Sequence, residues 1–298
     1  SRARSTVTDS VTAPAGTRLA VLGSPIAHSR SPRIHAAAYQ ALGLPWEYEA
    51  IRCEADDLEA TLARLGDEWR GLSLTMPLKE EAHRLAARLD PVATDSGVVN
   101  TLLRDPSTGG SGWVGFNTDV VGLAAALMGV GSDARETIVL GAGATAISAV
   151  LSARQIGAER VTVLARRPEA AAALVDRLRV SGGGTAELAS GGLTGPEGRA
   201  AVASATLVIS TLPGTAGAAL ELPQGIEQVP LVDVAYDPWP SPLAERWRQA
   251  GGRAESGIDM LVFQALVQVR IFVSGDPTAQ LSGEPAVLAA MRAAGVGG

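Results

Sequence analysis

The most constraining feature of this chain is a strand that runs into a glycine turn and then a helix. Thr137-Ile-Val-Leu140 leads into Gly141-Ala142-Gly143-Ala144-Thr145-Ala146, and a helix-forming segment follows to about Gln155. This order matches the G-x-G-x-x-G/A fingerprint of a dinucleotide-binding βα unit. Gly141 permits the tight turn, Gly143 lets the backbone approach a pyrophosphate, and Ala146 keeps the helix close to the sheet. The helix N-terminal amides then face the phosphates. Gly141, Ala142, Gly143, Ala144 and Thr145 are therefore candidate cofactor-binding residues. The next strand, Arg160–Leu164, ends in Ala165-Arg166-Arg167-Pro168. An acidic residue at that point would bind the ribose of NAD, and none is present. Two arginine forks there suit a 2′-phosphate, so the expected cofactor is NADP(H), with Ala165, Arg166 and Arg167 beside it.

Strands and helices alternate on both sides of this unit, which predicts an α/β fold. Ahead of it, strands are expected at Arg18–Gly23, Pro45–Arg52, Gly71–Thr75, Val98–Arg104 and Trp113–Phe116. Helices are expected at Ser31 to about Gly43, with Ser31 as N-cap, at Asp56–Leu65 and at Leu78–Leu89. Beyond it, a helix is expected at Val120–Gly129 and strands at Leu207–Ser210 and Leu231–Val234. A Gly-rich loop is expected near 182–198, and helices after Gly257 and from about Pro285 to Ala294. The first sixteen residues and the last seven read as frayed ends. The 298 residues suffice for about two domains of roughly 150 residues. The expected organisation is a substrate-binding domain over 18–119 and a doubly wound, Rossmann-like domain over 120–255. C-terminal helices over 256–298 return to the first domain.

Rare residues point to the chemistry. Lysine occurs once among 25 basic residues, at Lys79, and asparagine twice, at Asn100 and Asn117. In a chain that otherwise uses arginine, a retained amine marks a place where a planar, permanently charged guanidinium will not serve. Lys79 opens a helix, where the dipole disfavours a cation. Asp119, in Asn117-Thr118-Asp119, is its natural partner, and such a pair can polarise a carbonyl and donate a proton. Ser29 and Ser31 put two hydroxyls at another helix start, a good carboxylate cradle. A net charge of -6 argues against nucleic-acid binding. No apolar stretch reads as a membrane span, and three scattered histidines suggest no metal site. The lone Cys53 favours a reducing, cytoplasmic setting.

The runs VLGSPIAHSRSPRIH, LTMPLK, VVNT, NTD and GAGATA occur in that order, followed by DVAYDPWPSPL and GIDMLVFQA. Together they resemble the shikimate dehydrogenase family, over nearly the whole chain from Arg18 to Gly275. The resemblance implies NADPH-dependent reduction of 3-dehydroshikimate to shikimate, on the route to the aromatic amino acids. It implies that Lys79 and Asp119 are catalytic and that Ser29 and Ser31 hold the substrate carboxylate, with Tyr236 nearby. It places Thr75, Asn100, Asp119 and Gln264 on the substrate hydroxyls. Val234, Gly257 and Met260 would meet the nicotinamide side. The implied partner is a small molecule, with the chain a monomer or a homodimer.

The sequence departs from the family pattern at Ser73, where the family has Asn, at Ala144 in place of a glycine, and at Ala165-Arg166-Arg167, which keeps only the central Arg. It departs again at Ser210-Thr211-Leu212 and at Val269. Two other activities stay open at this level. One is the same chemistry on quinate or an aminoshikimate; the other is a non-catalytic NADP-binding sensor.

Overall fold

The computed structural model describes residues 16–108, 112–181, 184–216 and 219–296. Two six-stranded sheets carry the fold. The first contains β1 (Arg18–Gly23), β2 (Glu47–Arg52), β3 (Trp69–Leu74), β4 (Arg88–Leu89), β5 (Thr101–Arg104) and β6 (Trp113–Phe116), in the order β2-β1-β3-β5-β6-β4. Its helices are α1 (Ser31–Leu42), α2 (Leu58–Arg64), α3 (Lys79–Leu85) and α4 (Pro91–Ser96). Side chains alternate between its two faces, as strand geometry requires. Leu19 joins one apolar cluster with Ile34 and Phe272, while Ala20 and Leu22 join another with Leu58 and Leu78.

Helix α5 (Asp119–Gly129) leads to the second sheet. This contains β7 (Glu136–Leu140), α6 (Ala144–Gln155), β8 (Arg160–Ala165), α7 (Pro168–Ser181), β9 (Glu187–Gly192), α8 (Pro196–Val202), β10 (Leu207–Ser210), β11 (Leu231–Asp233), α9 (Pro242–Gln249) and β12 (Ala254–Ser256). Every ladder in it is parallel, and the order is β12-β11-β10-β7-β8-β9. Counted from β7, this is the doubly wound order 3-2-1-4-5-6, with the strand order reversing at β7. Val139, Val161 and Ile209 face one core; Ile138, Leu164 and Val208 face the other. Burial on both faces explains why these strands read as continuous apolar runs.

The chain then returns. Helix α10 (Ile258–Ser274) packs on α5, α1, β3 and β5, and α11 (Glu284–Val296) packs on α1 and α10. Gly122 makes the α5–α10 contact possible, since a Cβ there would lie 2.7 Å from the Gln264 backbone nitrogen.

Several local expectations are corrected. The helix expected over Leu78–Leu89 stops at Leu85, because Ala86 is extended and Ala87 N–H donates to the Trp113 carbonyl, drawing Arg88–Leu89 into the sheet beside β6. Asp90 then caps α4, its carboxylate accepting from Ala93 N–H at 2.7 Å. Ser31 is not an N-cap but the first helical residue; Arg30 precedes the helix, and the Ser29 hydroxyl accepts from Ser31 N–H at 3.3 Å. The segment expected as helix from Asp56 opens with a 3-10 turn, Ala55–Asp57, and becomes α-helical at Leu58. Helix α5 opens at Asp119, one residue before the expected start.

The Gly-rich 182–198 region contains β9 and the start of α8. Gly191 and Gly192 pair with Leu164 and Ala165 of β8, and glycine suits them because Glu197 and Pro168 lie close, a Cβ falling 2.7 Å from Glu197 Cβ at the first and 3.2 Å from Pro168 at the second. The edge strands β4 and β12 carry too few residues to show a period. At the C-terminal end, Arg292–Val296 are helical rather than frayed. Residues 1–15, most of the expected N-terminal tail, lie outside the described residues.

Candidate active site

A cleft of about 670 Å³ opens where the C-terminal ends of β1 and β3 face those of β10 and β11. Strand geometry delivers its side chains. β1 ends at Gly23, and a Cβ there would lie 2.3 Å from Thr75 Cγ2, so glycine lets the Thr75 loop close over it. Thr75 N–H donates to the Leu22 carbonyl at 3.0 Å, and the Thr75 carbonyl accepts from Leu78 N–H at 2.9 Å. This turn starts α3 and places Lys79 at its first position.

The Lys79 ammonium donates to Asp119 Oδ2 at 2.6 Å, and both side chains are largely buried, 13% and 6% exposed. The chain's two asparagines fix the acid. Asn100 Nδ2 donates to Asp119 Oδ1 at 2.9 Å, and Asn117 Oδ1 accepts from Asp119 N–H at 3.0 Å. Asn117 also donates to Ser148 Oγ on α6 at 3.2 Å, tying the helix after the glycine turn to the acid. Gln264 approaches from α10, its Oε1 3.4 Å from both Asn100 Nδ2 and Thr118 Oγ1.

Ser29 and Ser31 line the same cleft. Across from them stands Tyr236, whose ring lies 5.4 Å from the Arg30 guanidinium; Arg30 also reaches Asp237 at 3.8 Å. Burial raises the Tyr236 pKa, against the pull of Arg30. Asp233, buried beneath this loop, takes the Ser241 hydroxyl at 2.5 Å and Ala235 N–H at 3.2 Å; burial raises its pKa above the usual carboxylate value. Val234, Gly257 and Met260 also line the cleft, and a Cβ on Gly257 would lie 2.1 Å from the Val234 carbonyl oxygen.

The glycine turn lies at the β7–α6 junction, and of its residues Thr145 reaches the cleft wall. Gly141 has φ 112, a conformation that favours glycine, and a Cβ there would meet Thr211 Oγ1. Gly143 is the N-cap of α6, with no side-chain cap, no acid in the first turn and open space where a Cβ would stand. An uncapped helix start of this kind can take an anion on its first amides. Ala165 ends β8, and Arg166 and Arg167 are exposed beyond it, without an ion pair or side-chain hydrogen bond among the described residues. These features fit a dinucleotide carrying a 2′-phosphate.

The cleft also contains Ser73 and Leu212, marked above only as departures from the family pattern, and residues that the sequence reading passed over: Gln268 on its floor beside Ser73, Met76 at its rim, and Pro213 and Gly214 beside Leu212 on the opposite wall. Ser73 and Gln268 alternate with apolar neighbours on a strand and a helix, which reads as ordinary amphipathicity. His35 is buried in the core; its Nδ1–H donates to the Ser31 carbonyl at 2.9 Å and its ring stacks on Tyr48 at 4.0 Å. No helix of the described residues is long and apolar enough to cross a membrane, and no cluster among them has the ligands to hold a metal ion.

Comparison with known proteins places this arrangement. Residues 21–102 match the model of the shikimate dehydrogenase substrate binding domain. A shikimate dehydrogenase (NADP(+)) of Syntrophobacter fumaroxidans is 34% identical over 86% of this chain and 86% of its own length. One of Bordetella petrii is 35% identical over 92% of this chain and 96% of its own. Among solved structures, shikimate dehydrogenase of Mycobacterium tuberculosis superposes with a TM-score of 0.77 at 39% identity, covering 93% of this chain and 99% of that one. Shikimate 5-dehydrogenase of Thermus thermophilus, solved in complex with NADP(H) and shikimate, does so at 0.74 and 30% identity, covering 93% and 99%. With family-level identity along almost its whole length and a two-sheet fold shared with these structures, this chain belongs to the shikimate dehydrogenase family.

Proposed function

We propose that this chain catalyses the reversible NADPH-dependent reduction of 3-dehydroshikimate to shikimate, in the synthesis of chorismate and the aromatic amino acids. The observation that carries the reading is the buried Lys79–Asp119 pair, 2.6 Å apart, in a cleft lined from both sheets. The relatives' names, and the Thermus structure's NADP(H) and shikimate, agree with it.

The residues divide the work as follows. NADPH, when bound, supplies the hydride. The glycine turn and the α6 N-terminus hold its pyrophosphate, and Arg166 with Arg167 hold its 2′-phosphate. Val234, Gly257 and Met260 wall the nicotinamide side. Ser29 and Ser31 hold the substrate carboxylate, with Tyr236 closing that end. Thr75, Asn100 and Gln264 take the hydroxyls. Lys79 Nζ donates a hydrogen bond to the carbonyl oxygen, stabilises the charge that develops there, and delivers its proton as the alcohol forms. Asp119 keeps the ammonium aimed at that oxygen and accepts a substrate hydroxyl. Proposed with this are a substrate domain over 18–119, a cofactor domain over 120–255 and C-terminal helices over 256–298 that complete the first. A cytoplasmic setting suits the lone thiol, and the assembly is a monomer or a homodimer.

The test is the initial rate of NADP⁺ reduction with shikimate, run beside NAD⁺ and beside quinate. Turnover confined to shikimate with NADP⁺ is expected. Preference for quinate or NAD⁺ moves the chain to a sister activity, and NADPH binding without any turnover overturns the catalytic reading.

A further inference from the structure

Asp119 is held by more than its immediate neighbours. A continuous hydrogen-bonded line runs to it from the outer strand β2, through five side chains, and every donor in it has a forced direction. Two backbone groups set the sense. Thr118 N–H can only donate, and it meets Asn100 Oδ1 at 2.9 Å, so Asn100 must turn its amide nitrogen to Asp119. The Thr101 hydroxyl donates to the same Oδ1 at 2.8 Å. Its proton committed, Thr101 Oγ1 has only lone pairs left, and Gln268 Nε2 donates to it at 2.9 Å. The Asn100 carbonyl, which can only accept, lies 3.2 Å from the same Nε2 and fixes the Gln268 amide in that orientation. Gln268 Oε1 then faces Ser73, whose hydroxyl donates at 2.9 Å and itself accepts from Tyr48 O–H at 2.6 Å.

Gln268 is the hinge of this line. It is 2% exposed, sits one helical turn beyond Gln264 on α10, and is the only member that joins α10 to β3 and β5 at once. Its two amide protons grip Asn100 twice, once through the main chain and once through Thr101. Buried polar groups so fully paired define one arrangement and make any other expensive.

We propose that Gln268 is a positioning residue for the reaction: by donating to Thr101 Oγ1 and the Asn100 carbonyl it fixes the Asn100 amide, hence Asp119, hence the direction of the Lys79 ammonium. The inference rests on the catalytic reading given above. The donor half of the Gln268 amide carries the effect, because only that half faces Asn100 and Thr101. A methionine at 268 keeps the volume and loses both halves; a glutamate keeps the acceptor toward Ser73 and, when ionised, loses the donor.

The experiment is steady-state kinetics with shikimate and NADP⁺ on the wild-type chain, Gln268→Met and Gln268→Glu, with NADPH affinity measured separately by fluorescence titration. Both variants are expected to lose kcat by about 10- to 100-fold, the scale of a small misplacement of a reacting group, with NADPH affinity unchanged. The glutamate variant is expected to be as impaired as the methionine one. A folded variant that keeps kcat within about threefold, or a loss confined to KM, overturns the inference while leaving the catalytic reading intact. A wild-type chain without turnover overturns that reading and this inference with it. Should the methionine variant not fold, Thr101→Val reads the same link one bond nearer Asp119.

Discussion

Lys79 Nζ and Asp119 Oδ2 stand 2.6 Å apart although 40 residues separate them in the chain. One side chain opens α3 and the other opens α5. The N-terminus of α3 disfavours the cation, while that of α5 favours the anion, so the pair offsets on one side what the dipole costs on the other.

Lys79→Met removes the proton donor and keeps much of the side-chain volume. A loss of kcat of about 100- to 10,000-fold is expected, the usual range for a positioned acid or base. KM for shikimate should change little, because the Ser29, Ser31, Thr75 and Asn100 contacts remain. Steady-state kinetics separates the two parameters, and near-normal turnover rules out Lys79 as the acid.

Arg166→Ala with Arg167→Ala removes both cations beyond β8. Hydrogen bonds to charged groups contribute about 1.5–3 kcal/mol each, so KM for NADP⁺ should rise at least about tenfold. KM for NAD⁺, which lacks the phosphate, should stay as it is. Equal losses for both cofactors would place the 2′-phosphate elsewhere.

Ser29→Ala with Ser31→Ala strips the hydroxyls from the carboxylate end. KM for shikimate should rise by about 10- to 100-fold, with a smaller change in kcat. A quinate comparison adds a second axis, since quinate carries the same carboxylate. A parallel rise for both substrates is expected, and an unchanged KM would remove the cradle from the site.

His35 gives the fold an acid-sensitive term. Burial pushes its pKa down to about 4, against the opposing pull of the Ser31 carbonyl. Between the unfolded value of about 6.5 and that folded value, the unfolded chain carries a proton the native one does not. This contribution to stability is therefore fully present above about pH 6.5 and drains away as pH falls toward about 4, by roughly 3 kcal/mol in all. Chemical denaturation as a function of pH checks it: His35→Phe should flatten the slope in that window, and an equally steep slope in the variant assigns the effect to other groups.

The sequence showed most clearly what has a period or a rare letter. The β7 strand and its glycine turn were legible because an apolar run, two glycines and a helix must follow in order for the backbone to meet a phosphate. Lys79 and Asn100 stood out by scarcity. The partnership of Lys79 with Asp119 was inferred from the awkwardness of a cation at a helix start. Ser73 showed only as a departure from the family pattern and Gln268 not at all, because their meaning lies in a hydrogen-bonded line between three separate segments. Nor was β9: Gly191 and Gly192 read as loop, and their pairing with Leu164 and Ala165 of β8 joins segments far apart in the chain. The end of α3 was missed for a similar reason, since Ala86 and Ala87 are good helix formers, and the chain is drawn to the sheet by Ala87 N–H on the Trp113 carbonyl and Asp90 N–H on the Gly115 carbonyl.

The close approach at Gly122 also bears on how such a chain can be taken apart. α5 carries the polypeptide away from the first sheet and α10 brings it back, and Gly122 lets these two helices touch at Gln264. The exit and re-entry points are thus neighbours, and the second sheet is inserted between two helices that already touch. A replacement at these joints would also have to match the contacts of α6 and α7 on α4 and the bond from Asn117 to Ser148. A nucleotide module from another member of the fold, joined at these two helices, would inherit an acid and two glutamines already held in place by the host.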